Sequence, residues 1–114
     1  MLTIDALKAY GANTEEGLSR CFNNESFYLR LVGMGLSDQN FDRLQTAVAN
    51  GDAKGAFEAA HALKGSTGNL ALTPIYRPVC ELTELLRGKS TVDGAKDLAA
   101  QVDEALKAAR RLLD

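Results

Sequence analysis

The sequence predicts an all-α protein, an up-down four-helix bundle with additional short helices at its N-terminus. Two observations predict it. Apolar residues recur at helical spacing along successive segments, and no segment sustains the period-two alternation of a half-buried strand. Cap and stop signals divide these segments by short connections, which suits helices packed antiparallel to their neighbours. A chain of 114 residues, 46% of them apolar, suits a single domain over residues 1–114 with an ordinary packed core.

Asn13 followed by Glu16 reads as a helix cap with an acidic residue in the first turn, opening a short helix through Leu18 and Cys21. Asn23 or Asn24 caps the next, which is rich in Phe27, Tyr28, Leu29, Leu31, Val32, Met34 and Leu36. Ser37 or Asp38 starts a third helix, with Phe41, Leu44, Ala47 and Val48 at helical spacing. Gly51 ends it and Asp52 caps a fourth, from about Ala53 to Leu70. Thr73-Pro74 resembles a cap followed by proline at the first helical position, opening a fifth helix that runs to Arg87 and stops at Gly88. Inside that helix Pro78 would delete one hydrogen bond; a turn over Pro74 to Arg77, with the regular helix beginning near Pro78, would avoid the loss. Ser90 with Asp93 starts the last helix, whose apolar stripe is Ala95, Leu98, Ala99, Val102, Leu106, Ala109 and Leu113.

Composition narrows the function. No stretch approaches the roughly 18 apolar residues of a membrane span, and Met1 to Lys8 lacks the features of a signal peptide, so a cytoplasmic protein is expected. Thirteen basic and 15 acidic residues are interspersed at a net charge of −2, which is no footprint for nucleic acid. Cys21 and Cys80 each sit in an apolar pattern and read as buried free thiols. A single histidine excludes a His-based metal cluster.

That histidine, His61, lies on the fourth helix. At 100° per residue, Ala56, Ala59, Ala60, Leu63, Thr67 and Leu70 gather on the side opposite it as the core face. Lys54, Glu58, Lys64, Gly65 and Gly68 share the side of His61, with Phe57 at the edge. Each glycine costs about 1 kcal/mol relative to alanine in a helix interior, and together they leave the backbone bare for close approach of a partner. Lys64, one turn from His61, can reach a phosphoryl oxygen on the imidazole. Histidine is a nitrogen nucleophile that needs no dedicated base at neutral pH, its unperturbed pKa being about 6.5. Each feature alone is ordinary surface: one exposed histidine, one solvated lysine, two glycines that could admit a neighbouring helix. The combination fits reversible phosphoryl transfer, in which positioning and charge stabilisation supply most of the catalysis.

The run Ala60-His61-Ala62-Leu63-Lys64-Gly65-Ser66-Thr67-Gly68-Asn69-Leu70 resembles the signature of the histidine-containing phosphotransfer (HPt) domain family. The runs Glu16 to Cys21 and Phe27 to Leu31 and the Asn50-Gly51-Asp52 turn are similar to that family as well, so the resemblance spans almost the whole chain. It implies a phosphorelay protein of two-component signal transduction. His61 would take a phosphoryl group from an aspartyl phosphate on a receiver domain, of a response regulator or a hybrid histidine kinase, and pass it to another. Lys64 would neutralise the phosphoryl group, Gly65 and, more weakly, Gly68 would give the partner access, and Arg87 would add a second charge. Mg²⁺ would belong to the receiver; no cofactor or metal is expected in this chain, and no Gly-rich phosphate loop is present. The expected product is a phosphoryl carrier, not a stand-alone enzyme, and a monomer. The match departs from the family pattern in three ways: Thr83 stands where a Gln or Glu commonly reaches toward the imidazole, Ala71 where a glycine commonly follows the signature, and prolines lie nearby. Two other readings are a binding-only helical adaptor and the phosphoacceptor domain of a chemotaxis-type histidine kinase. Some of Phe27, Tyr28, Leu31 and Met34 are candidates for an exposed docking patch.

Overall fold

The computed structural model describes residues 1–114, in seven α-helices and a closing 3₁₀ turn, with no strand: α1 (Ile4–Tyr10), α2 (Thr14–Arg20), α3 (Glu25–Gly35), α4 (Asn40–Ala49), α5 (Ala53–Asn69), α6 (Thr73–Leu86), α7 (Ala95–Arg110) and the turn Arg111–Leu113. The all-α expectation holds. Helices α4 to α7 run up and down as the four-helix bundle. Each packs on the next, and α4 also meets α7. Its core is mainly aliphatic, with Leu44, Leu63, Ile75, Val79, Leu82 and Val102 fully buried and Phe41 beside them. The α5 face predicted to point inward does so: Ala56, Ala59, Ala60, Leu63 and Thr67 are buried.

Helices α1 to α3 cover one end of the bundle, where the α5–α6 connection lies. Asn13 N–H donates to the Ala71 carbonyl (3.0 Å), Tyr28 Oη to the Leu70 carbonyl (2.8 Å), and Tyr10 Oη to the Ala105 carbonyl on α7 (2.7 Å). From the bundle side, Arg110 Nε donates to the Leu36 carbonyl (2.9 Å). Helix α1, which pattern reading did not single out, is opened by Thr3, whose hydroxyl accepts from the Ala6 N–H.

Asn13, Asn24 and Asp52 cap α2, α3 and α5 with their side chains, at Glu16, Phe27 and Gly55 N–H respectively. Gly51, at φ +73, takes the left-handed turn that ends α4 and lets Asp52 N–H return to the Ala47 carbonyl. Other starts differ from expectation. Helix α4 begins at Asn40, its N–H held by Asp38 Oδ1. Helix α6 begins at Thr73 itself, after Leu72, with no side-chain cap. Helix α7 begins at Ala95, after a left-handed Gly94, so Ser90 to Asp93 belong to the connection. Pro78 lies inside α6, and the alternative of a late start near Pro78 is not adopted. The deleted bond is the one Pro78 would have made to the Pro74 carbonyl; the proline ring is buried. The cysteines are free, Cys21 buried and Cys80 half-buried.

Candidate functional site

His61 sits in the third turn of α5 on its exposed side, with buried Ala60 and Leu63 anchoring the helix beneath it. Phe57, one turn earlier, stacks its ring on the imidazole, centroids 5.7 Å apart and planes 17° from parallel. The Arg87 guanidinium lies 5.3 Å above the other partner of that stack, the Phe57 ring, within cation–π range.

Arg87 also makes a two-pronged contact with Glu84: Nε to Oε2 at 3.3 Å and Nη2 to Oε1 at 3.1 Å. The same Oε1 stands 4.0 Å from Lys64 Nζ, across the α5–α6 groove. Phe57, His61, Lys64, Glu84 and Arg87 therefore form one continuous group around the imidazole. The Arg87 hydrogen bond and charge, with a smaller contribution from Lys64, hold the Glu84 carboxyl below the usual glutamate range. Arg87 is correspondingly held more firmly protonated by Glu84.

The two glycines differ. A methyl group built on Gly65 would meet nothing within 4 Å, so the surface beside His61 and Lys64 is open there. On Gly68 it would come within 2.9 Å of the Tyr76 ring. The missing side chain of Gly68 thus serves close packing against α6, the other use its sequence position allowed, while its backbone lines the cleft beside His61. Beyond Lys64 the surface dips into an open cleft of ≈ 660 Å³ that runs past Gly68 to Arg20, Tyr76 and Arg77. Arg20 closes its far end, donating to the carbonyls of Gly68 (2.6 Å) and Asn69 (3.3 Å) while pairing with Glu16.

Thr83 does not face this group. It is fully buried and its hydroxyl donates to the Val79 carbonyl at 2.7 Å, within its own helix. Ala71 adopts φ +57, the left-handed conformation that favours glycine. Of the suggested docking residues, Met34 is well exposed, Phe27 and Leu31 are half-buried, and Tyr28 is fully buried, which removes it from the patch. Phe57, Glu84 and Arg20 were not singled out as site residues from sequence. Signals for two of them existed, since Phe57 precedes His61 by four residues and Glu84 precedes Arg87 by three, both spacings of neighbours on a helix surface.

A comparison with protein-family models matches the Hpt domain over residues 35–112. The chain belongs to the Hpt domain family. The match contains α4 to α7, hence the whole bundle and every residue of the group around His61. Helices α1 and α2 and all but the last residue of α3 fall outside it, with the runs Glu16 to Cys21 and Phe27 to Leu31. No curated protein and no solved structure matches the chain in the other two comparisons. An Hpt domain acts as a phosphotransfer domain in two-component phosphorelays, where it interacts with receiver domains. No helix of the structure is long and apolar enough to cross a membrane.

Proposed function

We propose that this Hpt domain carries its phosphoryl group on His61, taking it from the aspartyl phosphate of one receiver domain and delivering it to the aspartate of another. The observation that carries this reading is the setting of His61: exposed on α5, stacked on Phe57, beside Lys64 and the open surface over Gly65. The unprotonated ring nitrogen attacks phosphorus, an N–P bond forms, and the P–O bond to the aspartyl carboxylate breaks with its electron pair leaving on oxygen. The other ring nitrogen keeps its proton. Lys64 supplies positive charge to the phosphoryl oxygens, and the receiver supplies Mg²⁺ and its acidic pocket. Phe57 limits the swing of the imidazole, so the nucleophile is held in place before the partner arrives.

The test incubates the protein with phosphorylated receivers of its own cell and follows acid-labile phosphate. His61→Gln is expected to abolish labelling, and Lys64→Ala to slow it by about tenfold with an unchanged unfolding midpoint. Labelling that survives His61→Gln, or none from any receiver, refutes the assignment. Labelling by ATP and a kinase catalytic domain alone would instead favour a chemotaxis-type phosphoacceptor domain.

A further inference from the structure

The group around His61 contains one acid. Glu84 Oε1 is shared between Lys64 and Arg87, the two cations of that group. We infer that Glu84 is a positioning residue that holds Lys64 and Arg87 while His61 is bare and competes with the phosphoryl group for them afterwards, setting how strongly the domain retains its phosphate. The inference rests on His61 being the acceptor.

Three observations support it. First, the contacts are graded: Arg87 is gripped by two hydrogen bonds, whereas Lys64 stands at 4.0 Å, beyond hydrogen-bond range. Lys64 is therefore the cation that leaves most readily, and Arg87 the one that stays. Second, Arg87 is fixed from two sides, by Glu84 and by the face of Phe57, which itself lies on the imidazole. Movement of Arg87 toward a phosphoryl group would disturb the stack that orients His61, so Glu84 also preserves that stack. Third, a phosphoryl group carries nearly two negative charges, and a carboxylate that shares its counterions repels it. Removing the charge of Glu84 frees Lys64 and deletes that repulsion, and both effects favour phosphohistidine.

Glu84, Lys64 and Arg87 are all substantially exposed, so solvent keeps the effect modest. Glu84→Gln is expected to shift the transfer equilibrium between receiver aspartyl phosphate and His61 toward phosphohistidine by about two- to fivefold, and to lengthen the phosphohistidine lifetime. The shift should shrink at high salt, where exposed charges are screened. A double-mutant cycle separates this role from a structural one. In a Lys64→Ala/Arg87→Ala background, Glu84→Gln should keep only the part of its effect that comes from direct repulsion, so the shift should be smaller than in the wild type. The proposal is overturned if wild-type protein is labelled on His61 while Glu84→Gln leaves the equilibrium unchanged. It is equally overturned if the shift persists undiminished without Lys64 and Arg87. If wild-type His61 is not labelled at all, it is the acceptor assignment that fails.

Discussion

At the scale of single residues, the site is made as much by a missing side chain as by those present. Gly65 faces open space, so alanine fits there without contact. Gly65→Ala should stabilise the free protein by about 0.5–1 kcal/mol through helix propensity, read as a higher midpoint in denaturant. The same methyl group stands beside His61 and Lys64, and the rate of transfer from a receiver should fall. A fully active variant would contradict the access role of Gly65, and a less stable one the propensity argument. That His61, Lys64 and Gly65 lie on one side of α5 was legible from sequence, because one helix carries all three and helical periodicity alone fixes which side they share. Glu84 was not, because its contact with Lys64 depends on how α6 is rotated against α5, which no spacing within one helix specifies. Gly68 shows the same limit from the other side: its position on the His61 face was read correctly, but the Tyr76 ring above it comes from the neighbouring helix.

At the scale of elements, helix beginnings divided according to what caps them. Beyond α1, where a side chain does the capping, as with Asn13, Asn24 and Asp52, the boundary could be read. The starts of α6 and α7 lack a side-chain cap, and there residues that would make good caps, Thr73 and Ser90, lie inside the helix or well before it. Helix α1 is seven residues long, too short for its apolar pattern to repeat convincingly. The capping of α5 gives a test of how local its support is. Asp52→Ala removes the acceptor for the Gly55 N–H and should cost about 1 kcal/mol of stability. It lies more than two turns from His61, so phosphoryl transfer by the folded protein should be unchanged. A loss of transfer beyond the loss of folded protein would mean that the helix start and the site are coupled.

At the scale of the whole molecule, the bundle and its N-terminal cover are joined through a few buried or half-buried donors. Tyr28 is the innermost, and burial, helped by negative charge at Cys21, pushes its phenol up to about 12. Burial also raises Tyr10. The sign follows directly. The folded value lies above the ordinary tyrosine value near 10, so the unfolded chain loses this proton first. The stabilisation is complete below about pH 10 and is lost as pH rises toward about 12. The unfolding midpoint should therefore fall across that window, and fall less steeply in Tyr28→Phe. At neutral pH Tyr28→Phe should cost about 1–2 kcal/mol, because the Leu70 carbonyl loses its buried donor.

The attachment of that cover has a feature with a wider consequence. Every hydrogen bond between α1 to α3, with their connections, and the bundle ends on a main-chain carbonyl: Gly68, Asn69, Leu70, Ala71, Ala105 and, in the other direction, Leu36. Carbonyl groups are supplied by the path of the backbone, whatever residue stands there. The polar part of the seam is therefore blind to side-chain identity on its accepting side, and substitutions there that keep the turn should leave it intact. Its hydrogen bonds would survive transfer of the cover to another bundle with the same α5–α6 bend, whereas its apolar contacts, such as Leu70 against Gly35 and Pro74 against Gly11, would have to be carried over with it.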